Sequence, residues 1–196
     1  QTIPNMSSPS TSICGCENSA SSLASSLPSK GSFDFSILAS INKPLNDHWK
    51  LVEACKHPLH SHALVSAAIY ISETIFSLCD AACISYGLFE SGVAASIDNN
   101  KTLMTVYSND DDTTPLSWKC SKSPMLLGKF ALQGEEESLL ARQIICGVLT
   151  NLSNLLREMG SLDKTSGSPS FYGRGDGQVG RILSSILSLL GKVSCE

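Results

Sequence analysis

The densest group of chemically capable side chains is His57-Pro-Leu-His60-Ser-His62, with His48 a short way upstream. Imidazole titrates near neutral pH and offers a nitrogen lone pair, so such a run points to proton transfer or metal ligation. The plainer alternative is a helix start carrying ordinary solvated histidines. Further along, Glu73 and Asp80 are seven residues apart, a spacing that puts both on one helix face. That face is otherwise apolar, and a buried carboxylate must be paired, protonated or turned to a polar cavity. His60, His62, Glu73 and Asp80 are therefore the catalytic candidates if the chain is an enzyme. The structural alternative, which is favoured, is that the carboxylates anchor Arg142 or Arg157. No Ser-His-Asp or Cys-His arrangement is legible.

Two further patterns lead to expected absences. The closest cysteine pairs are Cys14-x-Cys16 and Cys79-x3-Cys83, and neither supplies the four ligands at short spacing that a structural zinc requires. No metal site is expected. Gly175-Asp-Gly177-Gln-Val-Gly180 formally fits a dinucleotide-binding fingerprint, but Ser168-Pro-Ser170-Phe-Tyr precedes it instead of a strand. It reads as a flexible loop with a helix start, and no cofactor is expected. Arg174-Gly-Asp176 carries nothing by itself.

The elements that would position these groups are helical. Residues 1–32 are rich in Ser, with Pro4, Pro9 and Pro28, and read as a linker or loose arm. The remaining 33–196 reads as one helical domain. Phe33, Phe35, Ile37, Leu38 and Ile41 form the first apolar cluster, stopped near Pro44. A short helix with Trp49 and Val52 turned inward follows over Leu45 to Cys55. The first long helix is predicted from about Leu59 to Phe89, with Val65, Ala68, Ile69, Ser72, Ile75, Phe76, Cys79, Ala82, Cys83 and Tyr86 at steps of three and four. Leu64, Ile71 and Leu78 make it apolar nearly all round, which marks a central helix. Gly87 and Gly92 mark its end.

From Asp98 to Pro124 the pattern is loop-like, with the acidic run Asp110-Asp-Asp112 and a short helix at Leu103–Tyr107. A second long helix opens on Glu135, Glu136 and Glu137, whose charge suits its N-terminal dipole. Leu140, Ile144, Ile145, Val148, Leu149, Leu152, Leu155, Leu156 and Met159 make its stripe, and Gly160 is placed as its C-cap. The last helix runs from Arg181 to Val193, aligning Ile182, Leu183, Ile186, Leu187, Leu190 and Val193. No strand is expected. The fold class is all-α, an irregular bundle around two long helices.

Composition narrows function. Charged residues are only 16% of the chain and the formal net charge is −4, which excludes a broad nucleic-acid surface. The most apolar run carries Glu73 and Asp80, so no membrane span is expected. The chain starts at Gln1 without a Met, so something upstream was removed or never included. The 8 cysteines leave two compartments open. Sequons at Asn5, Asn100 and Asn151 would suit secretion, whereas Cys79, Cys83 and Cys146 lie within apolar stripes as buried thiols do. Reduced cysteines in an intracellular protein, nuclear or cytoplasmic, are the favoured expectation.

Ser123-Pro-Met-Leu-Leu-Gly-Lys-Phe-Ala-Leu-Gln-Gly-Glu-Glu-Glu137, running into Leu140-Ala-Arg-Gln-Ile-Ile145, resembles the C-terminal regulatory domain of fungal zinc-cluster regulators of secondary metabolism, the aflatoxin regulatory protein type. Pro124, Gly128, Phe130, Leu132, Gly134 and Glu135 occupy the places of that family's motif. The resemblance is specific over about residues 120–160 and one of layout elsewhere. It implies a fungal source, a helical domain and a link to a natural-product gene cluster. It departs from the family in lacking the zinc cluster, and it assigns no catalytic residue.

The leading expectation is accordingly a helical regulatory domain that binds a hydrophobic pathway metabolite or a partner protein, and does not itself bind DNA. Self-association is open. The alternative is a cofactor-independent enzyme of such a pathway, cyclising or isomerising a polyketide- or terpene-like substrate. A regulator would have a filled interior or an exposed apolar patch, and an enzyme an open cavity with an acid–base group turned into it.

Overall fold

A computed structural model describes residues 15–29, 31–55, 62–89, 118–162 and 175–194. The fold is all-α. Five helices carry it: α1 Gly15–Ser26, α2 Ser36–Ala54, α3 His62–Tyr86, α4 Glu135–Leu162 and α5 Gly175–Ser194. Four short strands, β1 Ser32–Asp34, β2 Lys119–Ser121, β3 Leu126–Leu127 and β4 Phe130–Ala131, lie between them.

The apolar stripe of α4 dictates the packing. Ile145, Val148, Leu149, Leu152, Leu155 and Leu156 are all fully buried, and α4 lies against α2, α3 and α5. Each such side chain contributes about 1.5–3 kcal/mol relative to exposure. Helix α3 is buried over most of its circumference, with Leu64, Ile71, Ile75, Leu78 and Cys79 inaccessible to solvent, as its all-round apolarity predicts. By length and composition alone both α3 and α4 could cross a membrane, but their apolar residues pack into one common core.

Helix α3 stops at Tyr86, short of the expected Phe89, and Gly92 lies outside the described residues. Gly87 has φ +63°; its N–H reaches the Ile84 carbonyl at 3.2 Å, and the Leu88 N–H reaches Cys83 at 3.0 Å. These paired bonds satisfy the last carbonyls in a Schellman ending, and buried Leu88 supplies its usual apolar contact.

Several expectations are corrected. The Ser-rich segment is not a loose arm from Gly15 on: α1 buries Cys16, Ala20 and Leu23 and packs on α2 and α3. Small residues let it approach closely, and the hydroxyls of Ser25 and Ser26 fold back onto the Ser21 and Leu23 carbonyls. Residues 1–14, which include Cys14 and the Asn5 sequon, lie outside the described residues. Pro44 does not stop a helix but sits inside α2. Leu38, Ile41, Leu45, His48 and Val52 make one continuous buried stripe across it, and burying that stripe outweighs one lost hydrogen bond. Gly160 lies within α4, and Gly175 to Gly180 form the first turns of α5 instead of a loop. In α5 the inward face includes Leu189, whereas Leu187 is exposed. The predicted starts at Leu59 and the helix at Leu103–Tyr107 lie outside the described residues.

Strands also exist where none is expected. Strand β1 pairs in parallel with β2, Phe33 opposite Cys120, while Phe33 packs edge-on against Trp118 and Phe35 against Tyr86. Strands β3 and β4 pair as an antiparallel hairpin. Two- and three-residue strands are too short to leave an alternating pattern.

Candidate functional site

Of the four acid–base candidates, the side chains of Glu73 and Asp80 are among the described residues. His57 and His60 lie outside the described residues, and His62 is the first residue of α3. Glu73 and Asp80 both meet α5. The Gln178 amide donates to Glu73 Oε1 at 2.9 Å. Burial raises the Asp80 carboxyl above its ordinary value, opposed by the positive charge of Lys192. Cys79 and Cys83 are fully buried beside Asp80. Desolvation pushes the Cys79 thiol well up and the Cys83 thiol to about 12, with Asp80 and Cys146 adding to both shifts. These are protonated, unreactive thiols. Among the described residues, no three His, Cys, Asp or Glu side chains are grouped to hold a metal ion. Cys55, Cys79, Cys83, Cys120 and Cys146 are free thiols.

His48, set aside by the sequence in favour of its neighbours, is a buried histidine of α2. It is 1% exposed, its Nδ1 lies 3.0 Å from Ser19 Oγ, and its Nε2 has no hydrogen-bond partner. Burial lowers its pKa from the ordinary value. No pattern in the sequence could bring Ser19 of α1 to it. The Asn151 sequon is likewise built into the fold: Asn151 Nδ2 donates to Asn42 Oδ1 at 2.7 Å, and Ser153 is buried.

The feature that stands out lies on the surface. Leu126 pairs with Ala131 and Leu127 with Phe130, joined by the two-residue loop Gly128-Lys129. Gly128 has φ +63°, the left-handed backbone that the first loop position of such a hairpin demands. Buried Met125 anchors its base, where the Leu132 N–H reaches the Met125 carbonyl at 2.9 Å. Beyond that base none of the described residues covers it: Leu126, Leu127 and Phe130 are 62%, 70% and 78% exposed. Because adjacent residues of a strand point to opposite sides, exposure of both leucines means that both faces of the ribbon meet solvent.

Tyr86 fixes this hairpin on the helices. Its hydroxyl accepts from the Ser123 N–H at 3.3 Å, and its carbonyl accepts from Ser138 Oγ at 3.4 Å. The Lys122 ammonium lies 4.8 Å from the Tyr86 ring centre and 3.5 Å from Glu137. Burial raises the Tyr86 phenol to about 12, so it stays protonated. Asp34 adds a second clamp, accepting from the hydroxyls of Ser36 and Ser123; those bonds hold its carboxyl below its ordinary value. Gly134, at φ +61°, then turns the chain into α4, its carbonyl taking the Ser138 N–H at 3.1 Å.

The molecule is thus an all-α protein that presents an apolar hairpin in the segment between its two long helices. The chain belongs to the family of asperlin biosynthesis cluster protein I of Emericella nidulans, with which it is 34% identical over 208 aligned positions, covering 92% of this chain and 95% of that protein. No family model matches the chain, and no solved structure matches it either.

Proposed function

We propose that this chain is an interaction domain of a fungal natural-product pathway, akin to the regulatory part of a pathway transcription regulator, and that the β3–β4 hairpin is its docking element. Membership in the family of a biosynthesis-cluster protein supports the pathway role. The observation that carries the docking role is the exposure of Leu126, Leu127 and Phe130 together on one anchored turn. Large apolar side chains concentrated in this way mark contact sites. Supporting it further, the residues on which the resemblance to the regulators rests are the ones that build this element: Gly128 makes the turn, Phe130 tops it, Leu132 closes its base and Gly134 starts α4.

The test is to replace the gene in the fungus that carries it with a Phe130→Asp version and quantify transcripts across the gene cluster. Phe130 has almost no packing to lose, so the variant folds. A regulatory docking element predicts that the cluster transcripts fall together, toward the level of a deletion. Unchanged transcripts with one pathway intermediate accumulating in the deletion strain would refute this reading in favour of an enzyme.

A further inference from the structure

The hairpin does not stand on a neutral background. From Trp118 to Gly134 the chain contains Lys119, Lys122 and Lys129 and no acidic residue, and the next three positions are Glu135, Glu136 and Glu137. Lys129 and the first two glutamates are exposed. On the same α4 entry, Leu139 is 54% exposed. One end of the molecule therefore places a basic apolar tip beside an acidic first turn with its own apolar side chain.

A surface of that kind is complementary to itself. In a two-fold arrangement the same patch meets its own copy, each residue finding its partner twice. A one-sign partner, such as an anionic lipid surface, would be opposed by those glutamates at the base of the hairpin. We infer that the occupant of the hairpin is a second copy of this chain, forming an isologous dimer through Leu127, Lys129 and Phe130 against Glu135, Glu136 and Leu139. The inference rests on the reading of the hairpin as a docking element and names its partner.

The experiment is sedimentation of the full chain over a range of concentrations. Wild type dimerises, and Phe130→Asp sediments as a monomer with an unchanged circular dichroism spectrum. Lys129→Glu faces like charge at two reciprocal contacts and weakens the dimer roughly tenfold. The paired variant Glu135→Lys/Glu136→Lys weakens it similarly. Mixing the two restores opposite charges at both contacts, so the heterodimer forms more tightly than either homodimer. Wild type that stays monomeric, or a mixture with no preference for the heterodimer, would overturn the inference. Capture of the monomer by anionic vesicles, lost in Phe130→Asp, would overturn it in favour of a lipid surface. The docking reading is judged separately: a monomeric wild type whose Phe130→Asp form still loses cluster transcripts leaves that reading standing, whereas unchanged transcripts sink it whatever the oligomeric state.

Discussion

Pro44 gives the cleanest test of how this fold is held. It lies inside α2, is exposed, and carries no N–H to offer the Ser40 carbonyl one turn back. In a helix interior Pro is about 3 kcal/mol less favourable than Ala. Two corrections reduce what Pro44→Ala would recover. Proline stiffens the unfolded chain, so replacing it returns about 0.4–1 kcal/mol of entropy to the unfolded state. Ser40 is also exposed, so water already satisfies part of its carbonyl. No packing is lost, because the buried stripe Leu38, Ile41, Leu45, His48 and Val52 lies on other positions. The net expectation is stabilisation by roughly 1–2 kcal/mol, which for a chain of this size raises Tm by about 3–6 °C. Urea and thermal unfolding of the two proteins measure it directly. A loss of stability would mean that α2 depends on a bend at Pro44, and that the continuous stripe is not what carries the helix through it.

Three further outcomes follow from buried groups and from the end of α3. Burial lowers the His48 pKa, so the unfolded chain takes up the proton first as pH falls below its ordinary value of about 6.5. Stability therefore declines from there toward the folded pKa and is unaffected above it; in urea titrations His48→Gln should flatten this part of the profile, and identical profiles would refute the assignment. Cys79 and Cys83 should take up maleimide only on unfolding, since both thiols are buried and held protonated; rapid labelling of the native protein, mapped by mass spectrometry, would contradict the packing of α3. Gly87→Ala should cost about 1–2 kcal/mol in urea unfolding, because it puts a Cβ on a residue with φ +63° in left-handed backbone, and an unchanged midpoint would deny the Schellman ending.

The long helices were legible because each repeats one apolar face over many turns, and chance does not sustain such a period. The stripe from Ile145 to Met159 and the burial of most of α3 follow from spacing alone. Punctuation was less reliable, since Pro44, Gly160 and Gly175 all read as interruptions. Each is a local cost of one to a few kcal/mol, and a buried stripe on the same helix is worth more. Helix α1 was hidden for the opposite reason. Cys16, Ala20, Leu23 and Leu27 are small or few, and their face becomes apolar only against α2 and α3. The polar contacts were beyond reach altogether, because Ser19 with His48, Asn42 with Asn151 and Glu73 with Gln178 are pairs that only the tertiary fold creates.

The hairpin belongs to neither category, and that is informative about function. Large apolar residues next to a core normally join it. Met125 and Leu132 do so in whole or part. Leu126, Leu127 and Phe130 do not. The turn instead holds them outward on a base clamped by Tyr86, Asp34 and the Gly134 entry to α4. Exposing three large apolar side chains contributes nothing to the stability of the free chain and invites aggregation. Rigid support beneath them lowers the entropy lost when a partner covers them. An element that is firmly anchored yet uncovered makes sense as half of an interface.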